Sequence, residues 1–170
     1  GGSSDAAFFL KIVNKQLKLG ISDTQLTEMA RQLGADCAFF IRNKPVFANG
    51  KGDEFENVKL DLSQYHILVV YTGINSSTKE AYEGIVPVNP SRSVKDIVTN
   101  EPIETWKNEL VNDFEKSIFK KYPEIEKLKN ILYQNGAIYS SLSGSGSAVY
   151  GIFKSKVEIK FPAHYLFIWK

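Results

Sequence analysis

The 170-residue sequence predicts an α+β fold in which helices pack on antiparallel or mixed sheets. Three observations carry this prediction. Two amphipathic helix patterns open the chain, a hairpin pattern follows them, and a later helical block gives way to a tail of strands and turns.

Taken in order, residues 5 to 18 set Ala6, Phe9, Leu10, Val13 and Leu17 on one helical face, and Gly20 supplies a left-handed stop. Ser22 and Asp23 start a second helix, which is expected to bury Leu26, Met29, Ala30 and Leu33 and to end at Gly34. The apolar run Cys37 to Ile41 reads as a short strand, so Asp36 is expected at a helix-to-strand junction. Val46 and Ala48 alternate ahead of Asn49-Gly50-Lys51-Gly52-Asp53, a hairpin signal, and Tyr65 to Tyr71 reads as a buried strand. With Ser77 or Thr78 as cap, a helix then turns Ala81, Tyr82 and Ile85 inward before Pro87 and Pro90 break the chain, and a proline-bounded polar stretch follows. Pro102 opens a helix through Trp106, Leu110 and Val111, which Phe114 to Phe119 extends or restarts. Pro123 opens another, through Ile125, Leu128, Ile131 and Leu132, closed by Gly136. The tail reads as strands Ala137 to Leu142, Ala148 to Phe153 and Tyr165 to Trp169, with the loop Ser143-Gly144-Ser145-Gly146-Ser147 between the first two.

Bulk properties narrow the classes of function. With 43% hydrophobic and 24% charged residues, the chain can bury a substantial core, as one domain or one and a piece. Its net charge is only +2 and Lys and Arg are scattered, which argues against nucleic acid as a partner. The longest apolar runs, such as Ile67 to Tyr71, fall far short of the roughly 20 residues that cross a bilayer, so no membrane association and a cytoplasmic location are expected. Cys37 is the only cysteine and His66 and His164 the only histidines, too few for a disulfide or a zinc cluster, and no metal ligand is assigned. Gly1-Gly2-Ser3-Ser4 runs straight into Ala6-Ala7-Phe8-Phe9-Leu10 with no initiator methionine, which reads as a chain beginning within an element; a tag scar could also supply Gly-Gly-Ser.

Three constellations could carry chemistry. Gly1-Gly2-Ser3-Ser4 at a helix start combines close backbone approach, helix-end amides and two hydroxyls, all suited to phosphate; a plain Ser N-cap has the same pattern. Ser143 to Ser147 places five tiny residues between apolar strands, as when a ligand or another backbone comes close, or in a merely loose turn. Gly34-Ala35-Asp36-Cys37-Ala38 flanks one carboxylate with small and apolar residues, suited either to accept an alcohol proton in a largely dry pocket or to cap and bridge. Cys37 reads as packing.

In this order the three segments resemble the GHMP kinases, small-molecule phosphotransferases, along the whole chain. Gly1-Gly2-Ser3-Ser4-Asp5-Ala6-Ala7 is similar to the end of the family's phosphate loop, Gly-Ala-Asp to the segment of its base, and Ser143 to Ser147 to its third motif. The resemblance implies ATP and Mg²⁺ as cofactors, and ATP or phosphate contacts from Gly1, Gly2, Ser3, Ser4, Gly144, Ser145 and Gly146. It gives Asp36 the proton-accepting role. It further implies that residues 1–55 are the remainder of an N-terminal nucleotide-binding domain and residues 56–170 the C-terminal domain. Phe47-Ala48-Asn49-Gly50-Lys51-Gly52-Asp53 and Ser77-Thr78-Lys79-Glu80-Ala81-Tyr82 resemble the branch that phosphorylates the 2-hydroxyl of 4-diphosphocytidyl-2-C-methyl-D-erythritol in the non-mevalonate isoprenoid route. Thr78 and Tyr82 then fall on the cytidine side, Tyr82 as a stacking platform or as a core aromatic. Asn112-Asp113-Phe114-Glu115 also looks like a segment of that branch, with packing and helix-starting work assigned to it.

Departures from the family pattern are Asp5 where Asn is common and Cys37-Ala38 where Val-Pro is common. The family's N-terminal strand layer, assisting lysine, cytosine contacts and first loop glycines have no counterpart, so this segment alone is expected to be inactive and to expose an apolar face. Two alternatives stay open: another GHMP kinase acting on mevalonate-type or sugar substrates, and a non-catalytic domain of the same fold. Oligomeric state is not read from the sequence.

Overall fold

The structure is a computed structural model that describes residues 2–85 and 92–170; Gly1, Pro87 and Pro90 of the sequence reading lie outside the described residues. It separates into two compact units, Gly1–Leu60 and Asp61–Lys170, so the dividing point lies beyond the expected one after residue 55 and keeps the hairpin whole.

The first unit holds helices α1 (Gly2–Gln16), α2 (Asp23–Leu33) and α3 (Cys37–Arg42), then the antiparallel strands β1 (Val46–Asn49) and β2 (Glu54–Asn57). Lys18 and Gly20 take left-handed backbone after α1, and Asn14 pins the turn by exchanging two hydrogen bonds with the backbone of Ile21, at 2.8 and 3.0 Å. Ser22 then opens α2 with a capping box: its hydroxyl accepts from Gln25 N at 3.3 Å while Gln25 Oε1 accepts from Ser22 N at 3.0 Å. Ala7, Leu26, Ala30, Cys37 and Ile41 form the buried core, with Ala6, Leu10, Ile21 and Phe40 packed against it.

Three expectations fail in this unit. Cys37 to Ile41 is a helix, because it buries Cys37, Ala38 and Ile41 on one side at one-turn spacing, and a short apolar run has no period of its own to forbid that. Asp36 therefore joins helix to helix. Phe9 and Leu17 of α1, and Met29 and Leu33 of α2, are exposed, because Ala7, Leu26 and Ala30 supply the close helix contacts instead. Phe8, Ile12 and Leu19 are exposed as well.

The second unit is built on an all-antiparallel sheet of order β4-β5-β3-β6, with β3 His66–Tyr71, β4 Tyr139–Leu142, β5 Val149–Phe153 and β6 Leu166–Trp169. Between β3 and β4 run α4 (Thr78–Glu83), α5 (Val94–Asn100), a 3-10 turn (Ile103–Thr105), α6 (Trp106–Glu109), α7 (Phe114–Lys121) and α8 (Pro123–Gln134). Leu68, Val70, Val149 and Phe153 of the sheet meet Ile118, Ile125, Leu128 and Leu132 of α7 and α8 in one core. The polar stretch after the prolines contains a helix the periodicity did not reveal: α5 is capped by Ser93, whose hydroxyl accepts from Lys95 N at 3.1 Å, and it buries only Ile97. The helix expected from Pro102 through Val111 breaks into the 3-10 turn and α6, leaving Val111 exposed, and α7 restarts at Phe114.

Candidate functional site

In the first unit, Ser3 and Ser4 lie half-buried in the first turn of α1, a 15-residue helix whose N-terminal amides carry the positive end of its dipole. A Cβ on Gly2 would meet nothing within 4 Å, so the backbone there is open to a close neighbour. Asp36 stands at the N-cap position of α3. Ala7 of α1 and Cys37, the residue after Asp36, share the buried cluster, and farther along Lys11 Nζ donates to Ile41 O at 3.0 Å.

The hairpin turn also reaches this carboxylate. Asp36 Oδ1 lies 3.8 Å from where a Cβ of Gly52 would stand, Gly52 has φ +86°, and Arg31 Nη2 donates to Asp53 O at 3.1 Å to hold the turn on α2. Asp36 is exposed, so the dry pocket expected around it is not formed by this unit. Gly34 and Ala35 before it are too small to cover it, and Cys37 and Ala38 after it point into the core.

In the second unit, the loop Ser143 to Ser147 is held from two sides. Ser76 Oγ donates to Ser145 O at 3.3 Å, the Thr78 and Ser145 hydroxyls are 3.2 Å apart, and Ser147 Oγ donates to Ile74 O. On the other side Asn112 Nδ2 donates to Leu142 O at 2.9 Å and to Gly144 O at 2.8 Å. Gly144 and Gly146 have φ +57° and +85°, and a Cβ on Gly146 would come within 3.0 Å of Leu142 Cδ1. Ser145, Gly146 and Ser147 thus meet a close approach by the protein's own segment 74–78. Thr78, read as a substrate-side residue, touches this loop. Tyr82 is 64% exposed, which removes the core reading; one edge contact with Phe114, at 4.9 Å between centroids, steadies the ring.

The sequence reading missed what Asn112 and Glu115 do. Asn112 Oδ1 accepts from Phe114 N at 3.0 Å, the expected helix start, but its amide grips the loop. Glu115 is only 7% exposed, accepts from Leu142 N at 2.9 Å and Ser141 Oγ at 3.1 Å, and pairs with Lys129 Nζ at 2.6 Å. A polar residue three positions before a Glu that follows Phe114 was the available signal, and it reads equally as a cap. In β4, β5 and α8, burial raises the phenols of Tyr139, Tyr150 and Tyr133, which stay neutral; Tyr139 OH donates to Leu110 O at 2.9 Å. Among the described residues no group of three His, Cys, Asp or Glu side chains could hold a metal ion. None of the described helices is long and apolar enough to cross a membrane.

Known proteins match this chain throughout its length. Residues 94–164 match the family model of the GHMP kinases C terminal. A 4-diphosphocytidyl-2-C-methyl-D-erythritol kinase of Azobacteroides pseudotrichonymphae is 53% identical over 155 residues, 91% of this chain and 58% of that protein. The kinase of the same name from Parabacteroides distasonis is 45% identical across 100% of this chain and 63% of its own length. The chain therefore spans about three fifths of the curated relatives it matches. A crystal structure of 4-(cytidine 5'-diphospho)-2C-methyl-D-erythritol kinase superposes with a TM-score of 0.69 at 26% identity, covering 89% of this chain and 55% of that one. The fold is shared with a homoserine kinase from Cytophaga hutchinsonii, at a TM-score of 0.59 and 13% identity over 85% of this chain and 52% of that one. Residues 94–164 thus carry the C-terminal module of the GHMP kinases, and along its whole length the chain is similar to 4-diphosphocytidyl-2-C-methyl-D-erythritol kinases.

Proposed function

We propose that the protein to which this chain belongs transfers the γ-phosphate of ATP to the 2-hydroxyl of 4-diphosphocytidyl-2-C-methyl-D-erythritol, in the cytoplasm. The observation that carries the reading is the 53% identity to a kinase of that name over 91% of the chain, a stretch that includes residues in both units.

Each residue has a physical part in the transfer. Helix-end amides and the hydroxyls of Ser3 and Ser4 suit phosphate oxygens, as do the permissive backbone positions Gly144 and Gly146. Asp36 accepts the proton of the attacking alcohol and orients it; because the carboxylate is exposed in this chain, orientation is its main contribution. Tyr82 offers a flat apolar face to cytosine, beside Thr78 one turn earlier. Residues 1–55 serve the nucleotide and residues 56–170 complete the fold. Mg²⁺, when bound, supplies charge neutralisation on the transferring group.

Asp36→Asn in the full-length protein should leave ATP binding intact and lower kcat by roughly a hundredfold or more, the range for a positioned acid–base group. Near-normal turnover would show that another group takes the proton. Titration with CMP separates this reading from a mevalonate-type or sugar kinase: a cytidine site responds and those sites do not. A non-catalytic domain would bind neither nucleotide.

A further inference from the structure

We propose that Asn112 is a positioning residue for the nucleotide, acting through the shape of the 143–147 loop; this rests on the reading that the loop faces phosphate. Strand β4 is the outer strand of its sheet, so the backbone edge turned away from β5 has no strand partner. At Leu142, the last residue of β4, side chains take that place. Glu115 Oε1 accepts from Leu142 N and Asn112 Nδ2 donates to Leu142 O, each at 2.9 Å. On the inner edge Ser143 N donates to Ala148 O at 2.8 Å, closing the last rung before the loop.

The second Asn112 bond does more than cover an edge. Its amide nitrogen also donates to Gly144 O at 2.8 Å, so both amide hydrogens are used and two carbonyls, two residues apart, converge on one atom. A trans peptide is planar with N–H opposite C=O, so drawing the Gly144 carbonyl toward Asn112 turns the Ser145 N–H to the other face of the loop. Successive N–H groups presented on one side of a glycine turn are what meets an anion. The clamp itself is fixed: Asn112 Oδ1 is engaged by Phe114 N at the head of α7, and Glu115 is buried and held by Lys129 and Ser141. Gly146 N is taken within the loop by Ser143 O at 3.0 Å, so Asn112 decides which way the Ser145 N–H faces, without touching the ligand.

Asn112→Asp tests this in the full-length protein. The substitution keeps an oxygen for Phe114 N and so keeps the helix start, but it sets a carboxylate oxygen against two carbonyls. Asn112→Ser, which can still cap Phe114 N but whose shorter side chain has a single O–H and so cannot donate to both carbonyls, serves where the Asp variant fails to fold. In steady-state kinetics the KM for ATP should rise roughly tenfold or more, the scale of losing the two hydrogen bonds that set the loop. The KM for the cytidine-bearing alcohol should stay within about twofold, because a general loss of structure would move both constants together. An active wild type whose ATP KM does not change in either variant overturns the inference, as does a parallel rise in both KM values. A wild type that neither binds nor consumes ATP overturns the kinase reading itself, and this inference with it.

Discussion

A Cβ on Gly84 would stand 2.3 Å from Ser117 Cβ and 2.9 Å from Ser117 Oγ, nearer than real Cβ atoms approach. The glycine therefore exists for proximity: its φ of −90° suits any residue, but only a missing side chain lets the end of α4 lie on α7. Gly84→Ala should push the two helices apart and cost about 1–3 kcal/mol, the range for overpacking a filled contact. Chemical denaturation of the variant checks this, and a midpoint equal to wild type would mean that α4 shifts freely on α7. The same kind of proximity separates the glycine loop from an ordinary turn. Gly146 is pressed by Leu142 and Ser76, whereas a Cβ on Gly144 would meet nothing, so only one of the two needs to be glycine for lack of room.

At the level of elements, helix ends are where the sequence spoke most clearly. Ser22, read with Asp23 as a helix start, opens α2 and forms a capping box with Gln25 three residues on. Ser22→Ala should cost about 1 kcal/mol, since α2 loses the acceptor for Gln25 N and an exposed site offers only water in exchange. Thermal unfolding is the measurement, and an unchanged midpoint would show that the α1–α2 turn is held by Asn14 alone. Element type was harder wherever the apolar stretch was short. Cys37 to Ile41 has too few residues to show a period, and α5 buries one residue, so neither announced itself. Long, periodic α8 did: Ile125, Leu128 and Leu132 are all buried, as their spacing required.

Across the molecule, pH should reveal the tyrosines of the second unit. Tyr165 is raised to about 12, first by burial and then by its hydroxyl's 2.6 Å bond to Glu124 and that carboxylate's charge. Burial likewise lifts Tyr139, Tyr150 and Tyr133. A phenol whose folded pKa lies above the unfolded value near 10 favours the folded state while it is neutral. Its contribution is whole below about pH 10 and is lost as the pH climbs toward the folded value. The melting temperature should therefore fall between about pH 10 and 12, alongside late appearance of tyrosinate absorbance, with a shallower fall in Tyr165→Phe. A melting temperature flat across that window would contradict the burial of these rings.

By itself the sequence determined that helices and strands share this chain and where most of them begin and end, and it singled out Asp36, Ser3, Ser4 and the 143–147 loop as candidates for chemistry. Those features are local: caps, turns and periodicity depend on residues within a few positions of each other. Tertiary structure alone decided that Phe9, Leu17, Met29 and Leu33 face outward, that Asp36 is exposed, and that Asn112 and Glu115 hold the end of β4. Each of these depends on what lies across a packing interface or 27 to 30 residues away along the chain, and no pattern of neighbours encodes which apolar face is covered or which edge strand needs a partner.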